Sequence, residues 1–238
     1  MQSYKAPIND MNFILGDFLN SDAGDYLLND HDYAIDDLNM ILNEAGKFCE
    51  EVLLPLNQTG DHEGCKFSEG NVITPKGFKE AYKKFVDNGW QGAALDQKYG
   101  GQGLPYVINV LFDEMISSAN MSFGNYPGLT GNAFEAINKS ASEELKDLYL
   151  PKLATGEWSG TMNLTEPQCG TDLGLSKAMA VPQNDDSYKL SGTKIFITGG
   201  EQDLSENIIH LVLARTPGAP KGIKGISLFL VPKFIPEK

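Results

Sequence analysis

The sequence predicts an α+β fold in which an all-α N-terminal domain is followed by an antiparallel β domain of barrel or sandwich type. Apolar residues recur at three- and four-residue intervals up to about residue 150, whereas after Gly156 they alternate with polar residues. Turn-forming clusters such as 184–187 and 217–220 divide the second part into short runs. With 238 residues, of which 41% are hydrophobic, the chain can bury one sizeable core or two smaller ones.

We therefore divide the chain into three parts. Residues 1–31 form an acidic N-terminal extension, 32–156 form the helical domain, and 157–238 form the β domain, which stops close behind a strand. Within the extension, Met11 and Leu15 are spaced as on one helix face, so we expect a short helix packed on the surface.

Five further helices are expected in the helical domain, each from a periodic apolar stripe. They lie at 38–53, from 74 onward, at 107–116, at 133–138 and from 142 onward. The first should end at Pro55, because proline interrupts a helix interior. Thr74 and Ser142 are suitable N-cap residues for the second and the fifth.

Six runs with a two-residue period are expected to form the strands of the β domain. They lie at 158–164, 176–182, 187–192, 193–198, 208–215 and 225–232. In the run 193–198, alternation would place Phe196 and Thr198 on one face of a strand. Pro167 cannot donate to a ladder, so it marks the end of the first strand just after Thr165.

Composition excludes several classes of protein. The formal net charge of -13 would repel a phosphate backbone, and Lys83–Lys84 is the only adjacent basic pair. Three cysteines without a recurring spacing suit a reducing cytoplasm better than a disulfide framework. The apolar runs are far shorter than a membrane span. We expect a cytoplasmic protein that binds no nucleic acid and has no membrane span.

Self-contained catalytic motifs are missing from the sequence. His31, His62 and His210 are scattered, and neither a Gly-x-Ser-x-Gly nor a His-Glu-x-x-His pattern occurs. The ligand types in 61–65 are too closely spaced for a common zinc pattern, so no metal site is expected. The glycine-rich 99–103 lies between two helices and not after a strand, which favours a tight turn over a dinucleotide fingerprint.

Two segments expose backbone where a plain structural turn would not require it. Met162–Gly174 reads MNLTEPQCGTDLG and Lys194–Gly200 reads KIFITGG, and each runs from an apolar stretch into glycine with a hydroxyl nearby. Together they could grip a flat heteroaromatic group that carries acceptors along one edge. Two ordinary exits from strand to turn would give the same pattern, so the residues alone leave both interpretations open.

These segments, in this order and after a helical half, resemble the acyl-CoA dehydrogenase family. YGGQG, YLPKLATGEW, MNLTEPQCGTD, KIFITGG and LVLARTPGAPKGIKGISLFLVPKF carry the resemblance, which covers nearly the whole chain and is closest to the FadE-type branch. It implies FAD as cofactor and an acyl-CoA thioester as substrate. The implied reaction is α,β-dehydrogenation, with hydride passing to the flavin and electrons then to electron-transfer flavoprotein. Intact members are usually homo-oligomers.

The resemblance also implies that part of the family's catalytic apparatus lies outside this chain. In the family a glutamate from a C-terminal four-helix domain takes the α-proton, and no carboxylate here matches it. Glu166 is expected to anchor its turn. We therefore expect the 238 residues alone to be inactive. An acyl-CoA oxidase, or a non-catalytic binding or regulatory protein on the same fold, remains an alternative.

Eight positions match the family's flavin contacts, and one of them, Thr171, is also matched to substrate binding. They are Met162, Leu164, Thr165, Gly170, Thr171, Phe196, Ile197 and Thr198. By resemblance, Met162 offers its carbonyl to the isoalloxazine, and Leu164 and Thr165 contact its pyrimidine end. Thr171 contacts the diphosphate.

In the second segment, the resemblance places Phe196 beside the flavin ring and the Thr198 hydroxyl near N5. The chain departs from the usual pattern at four positions. Gln168 and Cys169 replace Gly-Ala, Phe196 replaces a tryptophan, and Thr171 replaces a serine. The first two changes put the conformation of the loop in doubt, whereas the others conserve the chemistry.

Overall fold

The computed structural model describes residues 3–19 and 33–236. Its helices are α1 (Ile8–Phe13), α2 (Ile35–Phe48), α3 (Leu54–Glu63), α4 (Phe78–Asp87), α5 (Tyr106–Ser140) and α6 (Glu143–Thr155). Its strands are β1 (Lys66–Ser68), β2 (Asn71–Ile73), β3 (Trp158–Asn163), β4 (Met179–Pro182), β5 (Tyr188–Ser191), β6 (Asn207–Ala214) and β7 (Ser227–Pro232). His31 and most of the second half of the N-terminal extension lie outside the described residues.

The helical core is built from the periodic apolar stripes and is centred on aromatic rings. The Phe85 ring lies 6.1, 6.0 and 5.9 Å, centroid to centroid, from those of Phe48, Phe112 and Phe123. The N-terminal segment joins this core through Met11 of α1 and Leu15 of the π-helical turn Ile14–Phe18 that follows it, and both side chains are almost fully buried. The expected surface helix is therefore confirmed, and its packing supplies the stability that six helical residues lack by themselves.

Two expected helix boundaries are wrong, and both errors involve residues around proline. The chain does not leave the helix at Pro55, because a π-helical turn at Cys49–Leu53 leads directly into α3, where Pro55 occupies the first turn. Thr74 does not cap α4, which begins four residues later, at Phe78, with Gly77 as its N-cap. The Thr74 hydroxyl instead donates to Asp203 Oδ1 at 2.8 Å.

The expected third and fourth helices are the two halves of α5. Asn120, with φ of -159° and ψ of 85°, breaks the helical geometry between them. Its Oδ1 accepts a hydrogen bond from Phe123 N at 3.0 Å, and its Nδ2 donates to Leu53 O at 3.1 Å, so one side chain caps the second half and ties the kink to the core. The expected Ser142 cap of α6 is confirmed by its bond from Leu145 N.

The β-rich domain is confirmed, but it is neither purely antiparallel nor a closed barrel within the described range. β3 pairs with β6 in parallel, β6 pairs with β7 antiparallel, and β4 and β5 form a separate antiparallel hairpin. Parallel pairing requires a long crossover, and 164–206 provide it. The expected strand at 193–198 is absent, since these residues form an irregular loop. None of the described helices is both long and apolar enough to cross a membrane.

Candidate functional site

The two segments singled out in the sequence lie side by side. Ile195 N donates to the Thr165 carbonyl at 2.9 Å. Lys194 Nζ donates to the Leu164 carbonyl at 3.0 Å and to Glu166 Oε1 at 2.8 Å. The structure thus joins backbone and side chains that are about thirty residues apart in sequence, directly beyond the end of β3.

The first segment is a tight turn closed by its own backbone. Glu166 N donates to the Cys169 carbonyl at 2.8 Å, and Cys169 N donates back to the Glu166 carbonyl at 3.0 Å. Pro167 and Gln168 are exposed at its tip. The unusual Gln-Cys pair is therefore accommodated within a regular hairpin turn, with the Cys169 side chain buried.

Glu166 is the buried centre of this turn and is only 4% exposed. Besides the Lys194 ammonium, its carboxylate accepts hydrogen bonds from Ser176 Oγ at 2.5 Å and from the amides of Lys177 and Ala178 at 2.8 and 3.1 Å. Burial by itself would raise the pKa of Glu166, but these hydrogen bonds outweigh it and lower the pKa to about 2. The expectation that Glu166 anchors its turn is confirmed, and an ionised carboxylate so fully bonded is a poor proton acceptor.

A single arginine holds the loop that follows. Arg215, at the end of β6, donates from Nε to the Ser176 carbonyl at 2.8 Å and from Nη2 to the Gly174 carbonyl at 3.0 Å. It also donates to the carbonyls of Pro220 and Gly222. Two loops, each of which contains only a single 3₁₀ turn, at Leu173–Leu175 and Ile223–Gly225, are fixed to one another by this planar group.

The second half of α5 packs against β3, which leads into the first segment, and against Gly199 in the second segment. Gly160 N donates to Thr130 Oγ1 at 3.1 Å, and a methyl group on Gly160 would lie only 2.3 Å from the Ala133 side chain. Gly199, with φ of +62°, lies against the Tyr126 ring. Gly160 must be glycine because α5 and β3 approach each other too closely for a side chain. Gly199 must be glycine because its φ is in the left-handed region, which side chains with a Cβ rarely adopt.

All eight sequence-predicted site residues are at least partly accessible. Met162, Thr171, Phe196 and Thr198 are exposed. The others, which are half-buried, are Leu164, Thr165, Gly170 and Ile197. Among the described residues, the amides of Gly170 and Thr171 find no hydrogen-bond partner, so they remain available as donors.

Phe196 differs most from its expected setting. Its φ is +56°, a left-handed conformation that is unfavourable by about 1–2 kcal/mol for a residue with a Cβ. Its side chain is 90% exposed, although burying a phenylalanine is worth about 1.5–3 kcal/mol. Phe196 and Thr198 therefore do not share the face of a strand. The loop holds a large apolar ring outward in a strained backbone, which is typical of a residue that contacts a ligand or partner.

Sequence reasoning missed the residues that build the site from beneath. Lys194, Ser176 and Arg215 each bond to groups that are distant in sequence, and only Lys194 lies within the two segments that the sequence singled out as a site. Within residues 3–19 and 33–236, no cluster of histidine, cysteine or acidic side chains could hold a metal ion.

Comparison with known proteins assigns the two domains. Residues 35–157 match the acyl-CoA dehydrogenase N-terminal domain, and 161–236 match the acyl-CoA dehydrogenase middle domain. The chain is 48% identical over 233 residues to 3-methylmercaptopropionyl-CoA dehydrogenase of Ruegeria pomeroyi, covering 98% of this chain and 40% of that protein.

Solved structures give the same assignment. The acyl-CoA dehydrogenase of Bacillus anthracis, complexed with FAD, superposes with a TM-score of 0.67 at 28% identity, covering 85% of this chain and 31% of that one. A chain in the structure of the electron transferring flavoprotein of Acidaminococcus fermentans superposes with a TM-score of 0.69 at 28% identity, covering 87% and 50%. The present chain thus spans half or less of each protein it is compared with. It belongs to the acyl-CoA dehydrogenase family and carries that family's N-terminal and middle domains.

Proposed function

We propose that this chain forms the FAD-binding part of an acyl-CoA dehydrogenase that converts an acyl-CoA thioester to the 2-enoyl-CoA, with electrons passing to electron-transfer flavoprotein. The observation that carries the proposal is the joining of Met162–Gly174 to Lys194–Gly200 through Glu166 and Lys194. An arrangement that fixes two backbone-exposing loops against each other suits a flat cofactor that needs contacts along one edge.

The residues present fit FAD. The free amides of Gly170 and Thr171 can donate to a diphosphate, and hydroxyls at Thr165 and Thr198 can donate to the ring. Phe196, exposed and held outward, can pack against an aromatic surface. FAD would supply the hydride acceptor. The role of this chain is to orient the ring and to direct fixed donors at its carbonyl edge, which favours a ring carrying additional negative charge.

Met162, Leu164 and Ile197 complete the proposed contacts. Met162 is the last residue but one of β3, in register with Leu211, and Leu164 follows the strand directly, so both lie at the end of β3 that leads into the first segment. Thr171 is proposed to serve both the diphosphate and the substrate. Glu166 is excluded as the base that removes the α-proton, because its carboxylate is engaged by the turn. We propose that the base comes from a part of the protein beyond these residues.

Partner and compartment follow from the same proposal. An acyl-CoA is the substrate class named for the relatives, and a homo-oligomer is expected for the intact protein. All three cysteines are free thiols, with Cys49 and Cys169 buried, which supports a reducing cytoplasm.

The test is substitution of the two hydroxyls in the protein expressed from its complete gene. Thr165→Ala and Thr198→Ala each remove one hydrogen bond, worth about 0.5–1.5 kcal/mol, so each should weaken FAD binding or slow flavin reduction roughly 2- to 10-fold. Thr59→Ala, on an exposed turn of α3, is the matched control. Unchanged FAD retention and unchanged anaerobic reduction in both variants would refute the assignment.

A further inference from the structure

A groove of about 700 Å³ crosses the surface where α4 meets the two segments that lead into β3 and β6. One wall is the face of α4 that runs from Lys79 to Asp87, and the other wall is formed by the turn 155–157 and the loop 204–206. A helix rises about 12 Å over the eight steps from Lys79 to Asp87. The groove is therefore long enough for three to four residues of an extended peptide, at about 3.3 Å each.

The groove is separate from the two flavin-type segments, Met162–Gly174 and Lys194–Gly200. Glu157 lies in its wall directly before β3, whereas the first flavin-type segment follows the other end of that strand. Six residues of strand span about 20 Å. None of the eight proposed FAD contacts lines the groove, so an occupant of this groove is not the cofactor and does not depend on FAD binding.

The floor of the groove is apolar. It is formed by Tyr82, which is 3% exposed, and by the half-buried side chains of Val86 and Leu204. Gly156 packs directly onto this floor, because a methyl group added to it would lie 2.7 Å from Val86 Cγ2. The phenol group of Tyr82 is paired, since its Oη donates to the Gly156 carbonyl at 3.0 Å. The floor therefore suits an aliphatic side chain.

Asp203 fixes the two walls of the groove to each other. Its carboxylate accepts from Thr74 N at 3.0 Å and from Thr74 Oγ1 at 2.8 Å, and it pairs with Lys79 Nζ at 3.1 Å. Glu206 N donates to the Glu157 carbonyl at 3.0 Å, which joins the loop to the turn. Because the walls are already held in place, little of the free energy of binding is lost in ordering them.

Two carboxylates on opposite walls of the groove are unpaired. Glu80, on α4, and Glu206, on the loop, are exposed, and neither side chain has a hydrogen-bond or ion-pair partner among the described residues. Lys84, four residues further along α4, does not line the groove. The other charges at the groove balance in three ion pairs. These are Lys79–Asp203, Lys83–Asp87 and Lys152–Glu157.

We propose that this groove docks a segment of a partner protein in which one aliphatic residue is flanked by two basic residues. Side chains alternate along an extended segment, so an aliphatic side chain directed at the floor leaves both of its neighbours directed outward. The long side chains of lysine or arginine can then reach Glu80 and Glu206 on the two walls. The net charge of -13 attracts a basic partner and repels a second copy of this chain.

The first test uses the 238-residue chain and three acetylated, amidated pentapeptides, Ala-Lys-Leu-Lys-Ala, Ala-Lys-Ser-Lys-Ala and Ala-Glu-Leu-Glu-Ala. The readout is the backbone amide signals of 155–157 and 204–206 in a ¹H–¹⁵N spectrum. At low salt the Lys-Leu-Lys peptide should shift these signals in a saturable way, with Kd on the order of 1 mM.

The other two peptides test the anchor and the charges. The Lys-Ser-Lys peptide should bind at least about tenfold more weakly, because it lacks the apolar side chain, and the Glu-Leu-Glu peptide should not bind. Equal shifts with the leucine and serine peptides, saturable binding of the acidic peptide, or no shift with the Lys-Leu-Lys peptide would each overturn the proposal.

Two variants locate the site without disturbing the fold. Glu80→Gln and Glu206→Gln should each weaken the Lys-Leu-Lys peptide about 2- to 5-fold, and neither should lower the thermal midpoint, because both carboxylates are exposed and unpaired. Glu144→Gln is the matched control, since Glu144 is also exposed but lies in the first turn of α6, about 16 Å along that helix from the groove. Full binding by a variant that carries both groove substitutions would contradict the assigned site.

Two further measurements distinguish a partner protein from other occupants. The protein expressed from its complete gene should bind a dye-labelled Lys-Leu-Lys peptide as the 238 residues do. Loss of binding there would mean that another part of the same protein fills the groove, and would overturn the assignment to a partner. The 238-residue chain should sediment as a monomer at the concentrations of the titration. Self-association that Glu80→Gln and Glu206→Gln abolish would make a second copy the occupant and would also overturn it.

Discussion

Replacing Glu166 by glutamine tests how the two flavin-type segments are held together. The carboxylate accepts from Ser176, Lys177, Ala178 and Lys194, and the Lys194 side chain is only 10% exposed. A glutamine offers one acceptor oxygen, and its NH₂ group would face donors. It would also leave the Lys194 ammonium buried without its counter-charge.

The size of the expected loss in stability follows from the lowered pKa of Glu166. Moving it from 4.5 in the unfolded chain to about 2 in the fold corresponds to about 3 kcal/mol of stability at neutral pH. Breaking a buried ion pair by removing one partner costs about 3–5 kcal/mol, which agrees with the value obtained from the pKa. We expect Glu166→Gln to lower the free energy of unfolding by about 3 kcal/mol in urea titrations of the 238-residue chain.

The direction in which the stabilisation by Glu166 changes with pH provides a second measurement. Because folding lowers this pKa, the contribution of Glu166 is fully present above about pH 4.5 and is lost as the pH falls toward 2. The difference between the wild type and Glu166→Gln should therefore shrink over that window. Glu143→Gln is the control, since Glu143 pairs with Lys98 and Lys146 but is 67% exposed and should cost less than about 1 kcal/mol. Equal losses for the two variants would refute the anchoring role.

Three further predictions follow. Gly160→Ala should lower stability by about 1–3 kcal/mol in urea titrations, because the added methyl would lie 2.3 Å from the Ala133 side chain; a neutral result would mean that α5 and β3 can separate. His210 should carry its proton on Nδ1, since Thr161 Oγ1 donates to Asn163 Oδ1 at 2.7 Å and must accept from the ring at 2.7 Å; ¹⁵N shifts of the imidazole report the tautomer, and protonation at Nε2 alone would contradict the network. The 238 residues alone should retain FAD poorly and show no acyl-CoA dehydrogenation, since lack of a positioned base costs about 10²–10⁴-fold; turnover at an ordinary enzymatic rate would locate the base within this chain.

Sequence by itself determined the parts of the fold that depend on local periodicity. The stripes that became α2, α4, α5 and α6, and five of the six strand-like runs, follow from the side-chain repeats of a helix and a strand. The Ser142 cap follows from local hydrogen bonding in the same way. The two site segments also emerged at this level, because glycine and hydroxyl residues after an apolar run mark exposed backbone.

Tertiary structure decided whatever depends on a distant partner. Periodicity shows that a strand is half-buried but not which neighbour it pairs with, so the parallel β3–β6 pair could not be read from it. Phe196 alternates like a strand residue, yet the bond from Ile195 N to Thr165 and the ion pair from Lys194 to Glu166 hold the loop in another conformation. These contacts join residues about thirty positions apart, and only the folded chain brings such groups within hydrogen-bond distance.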